Sequence, residues 1–134
     1  MSDWNAQIID EFMTNDGKVG GMFEGKPLLL LHHVGAKTGT DRTSPLMYQE
    51  LDGGWAIFAS KAGADTHPHW MHNVVANPDI AIRVGSEEIP VTARVASPEE
   101  REPIWERQKA DHPQFAEYEA GTDREIPVII LEPR

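Results

Sequence analysis

Apolar residues recur along this chain with two different periods. Over Asp3–Thr14 they are spaced three or four residues apart, which is typical of an amphipathic helix, and Asn15-Asp16-Gly17 ends the pattern. Beyond residue 26 the apolar residues form short runs, either continuous or alternating with polar ones, and such runs indicate β-strands. Six strands are predicted, over residues 27–34, 45–51, 55–60, 80–84, 89–95 and 126–131.

Turn residues connect two pairs of these strands directly. Asp52-Gly53-Gly54 and Gly85-Ser86 each separate two strand patterns, and glycine reaches positive φ in such turns at little steric cost. Both connections are therefore predicted hairpins. Strands linked mostly by hairpins favour a small antiparallel barrel with flanking helices over a doubly wound parallel sheet, whose crossovers need a helix between most strands.

Two further helices are predicted between the strands. One covers residues 66–76 and stops before Asn77-Pro78. The other opens at Ser97, which has capping-box spacing to Glu100 because Glu100 is the third residue after it. It runs toward residue 118 and is expected to split at His112-Pro113, since proline cannot donate an intrahelical hydrogen bond.

Composition places the chain among ordinary globular proteins, with 134 residues, 40% of them hydrophobic and 25% charged. We expect one domain over residues 1–134, with the helix within residues 1–17 as a segment that could cap it. The longest apolar run is far too short to cross a bilayer, and the acidic start of the chain does not resemble a signal peptide, so a cytoplasmic location is expected. Zero cysteines exclude disulfides, thiolate nucleophiles and iron–sulfur clusters.

Charge is divided unevenly along the chain. The net charge of -10 would repel a phosphate backbone, so nucleic-acid binding is not expected. Between residues 26 and 49, however, Lys26, Lys37 and Arg42 face only one acid, Asp41. The first half of the chain is therefore mildly basic, and the last third is strongly acidic.

Two loops could form a binding site. Residues 34–45 carry two glycines, four hydroxyl side chains, Lys37 and Arg42, which could surround an anion, although Thr40 after Gly39 breaks the Walker pattern. A connection that is merely polar and basic is the alternative. In residues 59–64 the small side chains would let the backbone approach a flat ligand beside Lys61, and a plain strand-to-helix loop is the alternative there.

Histidines and aromatic residues supply weaker candidates. His69 and His72 lie three apart on a predicted helix beside His67, and His32 and His33 are adjacent, but no HExxH pattern accompanies them, so no metal site is predicted. No GxSxG sequence marks a serine nucleophile. Three further residues repeat at three-residue spacing along one side of a predicted helix, namely His112, Phe115 and Tyr118. They form either one wall of a substrate pocket or an aromatic edge that packs on the barrel.

Taken together, four segments resemble the deazaflavin-dependent nitroreductase family over roughly four fifths of the chain. These segments are GAKTGTDRTSPL, ASKAGA, HWMHNVVANPDI and TDREIPVIILEP. The resemblance implies a split antiparallel β-barrel of about six strands, similar to FMN-binding barrels. It also implies binding of coenzyme F420 and hydride transfer from carbon 5 of the reduced deazaflavin to a quinone, a nitroaromatic compound or an activated alkene.

The same resemblance implies roles for individual residues. Contacts to the anionic tail of the coenzyme would come from Lys37, Thr38, Arg42, Thr43 and Lys61. Contacts along the deazaflavin would come from Ser44, Pro45, Leu46, Met47, Ala59, Ser60, His69, Trp70 and Asn73. Ser60 or Tyr118 would hydrogen-bond the substrate oxygen, with His112 and Phe115 on the substrate side and a proton from Tyr118, His112 or water.

Two other functions stay open at this stage. An FMN-dependent barrel enzyme would use the same Lys37, Arg42 and Lys61 for its phosphate. A non-catalytic barrel could instead sequester a deazaflavin, haem or fatty acid. In each case the partner is a small molecule, with at most peripheral membrane contact, and the protein is a monomer or a homodimer.

Overall fold

The structure, a computed structural model, describes residues 3–15, 27–60 and 67–134 of the chain, with side chains from residue 7 onward. Helices and strands alternate in short groups along these residues. In chain order they are α1 (Asp3–Thr14), β1 (Leu28–Val34), β2 (Asp41–Leu51), β3 (Gly54–Phe58), α2 (His69–Ala76), β4 (Asp79–Val84), β5 (Glu87–Val95), α3 (Pro98–Asp111), α4 (Gln114–Ala120) and β6 (Val128–Pro133).

The six strands close into one antiparallel barrel in the order β1-β2-β3-β6-β5-β4. Strand β1 closes it, because Leu31 lies opposite Ser44 of β2 on one side and opposite Ile82 of β4 on the other. Strand β6 lies between β3 and β5. This arrangement confirms the predicted antiparallel barrel with flanking helices, including both predicted hairpins.

Alternation along the strands fills the barrel. Every second residue of a strand points inward, so Leu29 and Leu31 of β1 share one buried cluster with Ile129 and Leu131 of β6. Helix α2 covers one end of the barrel and adds Trp70 and other side chains to this cluster. The barrel interior is thus packed with apolar side chains, and a helix that carries predicted site residues closes one of its ends.

Two smaller apolar clusters attach the other helices to the outside of the barrel. Helix α1 places Ile8 and Phe12 against Leu28 and Leu30 of β1. Helices α3 and α4 contribute buried aromatic residues that pack against Phe58 and its neighbours on the outer face of β3 and β6. The flanking helices therefore cover outward apolar side chains that alternation alone would leave exposed to water.

Some strand bounds differ from the sequence prediction. Strand β2 begins at Asp41 instead of residue 45, because Asp41 already pairs with Val34 of β1. Backbone ladder hydrogen bonds do not require apolar side chains, so the polar start of this strand carried no hydrophobic signal. Strand β6 begins at Val128 instead of residue 126, and the predicted helix start at Thr66 lies outside the described residues.

The predicted start and break of the later helices are confirmed. Ser97 Oγ accepts from the Glu100 amide at 3.3 Å, and the Glu100 carboxylate accepts from the Ser97 amide at 2.9 Å. This capping box satisfies two amide groups that have no partner within the helix. Helix α3 then ends at Asp111, and α4 begins after Pro113, as the His112-Pro113 pair predicted.

Candidate functional site

A tight hairpin loop at residues 35–40 joins β1 to β2 and carries the first basic residue of the predicted site. The Gly35 amide donates to the Thr40 oxygen, and the Gly39 amide donates to the Gly35 oxygen, both at 2.9 Å. Gly39 has φ of 70°, which favours glycine, and a Cβ on Gly35 would lie 2.5 Å from Thr38 Oγ1, so a larger residue there would have to displace the threonine side chain. The loop leaves Lys37 exposed at its tip. An exposed ammonium on a well-defined turn can hold an anion.

A chain of hydrogen bonds fastens this loop to α2. The Ala36 amide donates to Asn73 Oδ1 at 2.9 Å, Asn73 Nδ2 lies 2.9 Å from His33 Nδ1, and His33 Nε2 lies 2.9 Å from Ser44 Oγ. Asn73 and His33 are 7% and 4% exposed, so these polar atoms depend on one another instead of water. The predicted residues Ser44 and Asn73 are thereby connected through a residue outside the predicted cofactor contacts, His33.

The His33 ring is neutral near neutral pH. Burial lowers its pKa to about 4, and the nearby charges of Arg42 and His32 act in the same direction. In the sequence, His33 stands out only as half of a histidine pair with His32. Its position on β1, in phase with the inward residues Leu29 and Leu31, was the signal that could have identified it as a buried polar residue.

Arg124 contacts two further residues of the predicted site, Ala59 and Ser60. Its guanidinium donates to the main-chain oxygens of Ala59 at 3.1 Å and Ser60 at 2.9 Å, and it lies 3.0 Å from His67 Nδ1. Burial and the guanidinium lower the pKa of His67, with a further contribution from His72. Arg124 was not predicted as a site residue. Two of its partners are main-chain oxygens, and contacts to the main chain leave no pattern in the sequence.

Residues from three elements meet at the covered end of the barrel. Leu46 of β2, Ala59 after β3 and Trp70 of α2 pack in the same apolar cluster, and Ser60 is 9% exposed beside them. His69 lies on the exposed side of α2. The predicted contact Lys61 lies outside the described residues. The other predicted cofactor contacts on β2 are half-buried or exposed, namely Arg42, Thr43, Pro45 and Met47.

The predicted substrate residues lie in the aromatic cluster outside the barrel. Phe115 is 4% exposed, and its ring centroid lies 5.1 Å from that of Tyr118 and 6.5 Å from that of His112. Met47 of β2 packs against the same cluster and connects it to the strand that carries the predicted cofactor contacts. Phe115 is thus a packed core residue, and its contact with a substrate stays a prediction.

Two cavities lie elsewhere on the molecule. One of about 310 Å³ is lined by the 52–54 turn, Arg94 and α3, and one of about 220 Å³ lies between α2 and β5. None of the predicted site residues lines either cavity. Within residues 3–15, 27–60 and 67–134, no three histidine, aspartate or glutamate side chains converge to hold a metal ion. None of the described helices has the length and apolar character that a bilayer crossing requires.

The fold and site together define a class: a small antiparallel barrel with a basic hairpin beside one helix-covered end. Residues 4–133 match the family model of F420H(2)-dependent quinone reductase. The chain belongs to this family. An F420H(2)-dependent quinone reductase of Mycobacterium tuberculosis is 37% identical over 123 residues, which cover 89% of this chain and 83% of the relative.

Solved structures support the same assignment. A structure of an F420-H2 dependent reductase is 44% identical, with a TM-score of 0.72, over 79% of this chain and 94% of that chain. A structure described as a domain-swapped dimer is 41% identical, with a TM-score of 0.74, over 97% of this chain and 98% of that chain. More distant structures, at 11% to 18% identity, share the fold alone.

Proposed function

We propose that this protein is an oxidoreductase that binds reduced coenzyme F420 and transfers hydride to a quinone. One observation carries the proposal: the basic hairpin is hydrogen-bonded to the helix that closes the barrel, and Trp70 of that helix packs in one cluster with the buried Ala59. Membership of the F420H(2)-dependent quinone reductase family agrees with this activity. It favours F420 over FMN and an enzyme over a non-catalytic carrier.

The hairpin side chains fit the anionic tail of this coenzyme. Lys37, Thr38 and Arg42 are exposed, so they can reach phosphate and carboxylate groups without a large desolvation cost. Thr43, whose Oγ1 lies 3.2 Å from His32 Nδ1, and Lys61 would add two more contacts. In a protein with a net charge of -10, this local group of cations is what makes an anionic ligand compatible with the chain.

The flat ring system would lie against residues of β2, of the segment after β3 and of α2. We assign its wall to Ser44, Pro45, Leu46, Met47, Ala59, Ser60, His69, Trp70 and Asn73. Ala59 brings only a methyl group to this wall and is packed among the apolar residues of the barrel. Arg124 fixes the two main-chain oxygens at this point and keeps the wall in one conformation.

The protein contributes orientation and hydrogen bonding to the reaction. When bound, the reduced deazaflavin supplies the hydride. The hydroxyls of Ser60 and Tyr118 donate hydrogen bonds to the substrate oxygen as negative charge develops on it. Tyr118, His112 or water supplies the proton, and Phe115 orders Tyr118 and His112 by packing between them. The water-excluding apolar residues around Met47 strengthen these hydrogen bonds.

We propose that residues 1–134 act as one domain and that contact with a membrane is at most peripheral. The two states proposed for the protein are monomer and homodimer, and one relative forms a domain-swapped dimer. Light scattering on the purified protein distinguishes the two states.

The experiment that tests this function follows the oxidation of reduced F420 by absorbance, with menaquinone as acceptor and the protein as catalyst. A rate proportional to protein concentration supports a quinone reductase. If reduced F420 binds but is not oxidised faster than in the absence of protein, the chain is a carrier. The nitroaromatic and activated-alkene acceptors are assayed in the same way, and we expect the quinone to be reduced most efficiently.

A further inference from the structure

The hydrogen-bond chain through His33 connects the hairpin of β1 and β2 to α2, which is distant from it in the sequence. It joins β2 at Ser44 to β1 at His33, then to α2 at Asn73, and finally to the hairpin loop at Ala36. Each of the three bonds measures 2.9 Å. Because the two central side chains are buried, the loss of one partner leaves another polar atom without a hydrogen bond.

The direction of all three hydrogen bonds follows from the Ala36 amide at one end of the chain of bonds. The Ala36 main-chain amide can only donate, so the side-chain oxygen of Asn73 faces it. The amide nitrogen of Asn73 therefore faces His33 Nδ1 and donates to it. His33 Nδ1 must be unprotonated, and the ring proton resides on Nε2, which donates to Ser44 Oγ.

We propose that His33 is a positioning residue for the proposed F420 site, because its Nδ1 orients Asn73 and thereby holds the hairpin loop against α2. The inference rests on the proposed function, in which this loop binds the anionic tail. The internal hydrogen bonds of the loop, from the Gly35 and Gly39 amides, define its shape. The bond from Ala36 to Asn73 fixes its place relative to α2, which carries Trp70.

A leucine at position 33 would keep the buried volume and remove the acceptor. Asn73 would then have a buried donor without a partner, and its side chain could rotate so that the oxygen no longer faces Ala36. An asparagine at position 33 would retain an acceptor oxygen near the place of Nδ1. A comparison of His33→Leu with His33→Asn thus separates the effect of losing the acceptor from the effect of changing the size of the side chain.

The test measures two properties of the wild type and both variants. The first is amide hydrogen exchange at Ala36 in the protein without ligand, and the second is the dissociation constant for F420 by fluorescence titration. For His33→Leu we expect exchange at Ala36 and the dissociation constant each to rise about tenfold or more. For His33→Asn both stay within about threefold of wild type. The control His72→Leu makes the same change on the exposed side of α2 and should alter neither.

Three results would overturn the inference. Unchanged exchange at Ala36 in His33→Leu is one, and equal losses in both His33 variants is another. The third needs no variant: nitrogen NMR of the wild-type ring would show the proton on Nδ1 instead of Nε2. If the wild type itself binds no F420, the proposed function fails and the inference fails with it, whereas wild-type binding that His33→Leu retains in full overturns the inference alone.

Discussion

Arg124 donates a hydrogen bond of 2.9 Å to the main-chain oxygen of Ser60, a residue 64 positions earlier in the chain. The same guanidinium reaches Ala59 and His67, so it joins residues that lie before and after positions 61–66 of the chain. A charged side chain thus fixes the backbone at the proposed catalytic Ser60. It also connects the end of β3 to the segment that precedes β6.

Replacing Arg124 by glutamine should destabilise the protein. Two buried main-chain oxygens would lose a charged donor, and we expect the free energy of unfolding to fall by roughly 2–3 kcal/mol. Urea unfolding followed by circular dichroism measures this change. The control is Arg107→Gln, because Arg107 is 59% exposed, pairs with the exposed Asp111 and reaches the Glu50 main-chain oxygen only at 3.5 Å. Equal stability of Arg124→Gln and wild type would contradict the role we give this residue.

Charge reversal in the basic hairpin should weaken F420 binding. Lys37→Glu and Arg42→Glu each place a negative charge beside the proposed anionic tail, and we expect the dissociation constant to rise about tenfold or more. Fluorescence titration at low and high salt measures it, and the wild-type affinity should itself fall as salt screens the contact. Arg107→Glu, with the same change in net charge on α3, is the matched control. Unaffected affinity would remove the residue concerned from the site.

Acid should destabilise the protein partly through His33. Its pKa is lowered to about 4 in the folded protein, so the folded state binds fewer protons than the unfolded state below the ordinary histidine pKa of about 6.5. This contribution is fully present above about pH 6.5 and is lost as the pH falls toward about 4. The charged or titratable groups acting on the ring are Arg42 and His32, which are present in both proteins compared below.

The measurement compares the free energy of unfolding of wild type and His33→Asn at about pH 7 and about pH 4.5. Carboxylate titration affects both proteins. The difference between the slopes of their free energy of unfolding against pH therefore isolates the contribution of His33. We expect wild type to lose roughly 2 kcal/mol more than the variant across this interval. Parallel slopes would show that the ring is not held neutral by burial.

Removing the two proposed catalytic hydroxyls should slow the reaction. Ser60→Ala together with Tyr118→Phe deletes both donors to the substrate oxygen, and loss of one such donor typically costs about 100-fold in turnover. Steady-state oxidation of reduced F420 by menaquinone measures kcat and KM. The F420 dissociation constant of the double variant, determined separately, distinguishes slower chemistry from weaker binding. Unchanged quinone turnover would refute this assignment.

The sequence predicted the barrel well because its strands obey simple local rules. Alternating apolar residues in β4 and β5, and the glycine turns between strands, already specify antiparallel hairpins. The Ser97 capping box and the His112-Pro113 break were predicted for the same reason: each depends on neighbouring residues alone. The polar start of β2 was missed, because its pairing with β1 depends on the backbone and not on an apolar pattern.

The site was harder to predict than the fold. Lys37 and Arg42 stand out as cations in an acidic chain, but Asn73, which connects the loop to α2, lies far away in the sequence. Asn73 is 37 residues from Ala36 and 40 from His33, and only the closed barrel with α2 at its end brings them together. The contacts of Arg124 to main-chain oxygens are equally invisible in the order of residues.

The central claim is that the chain uses F420, and parallel fluorescence titrations with F420 and FMN test it most directly. The tail of F420 carries several carboxylates in addition to a phosphate, so the basic hairpin should give it more charge-assisted contacts than FMN can make. We predict tighter binding of F420 than of FMN, with the preference reduced in Arg42→Glu. Equal or tighter binding of FMN would contradict the account.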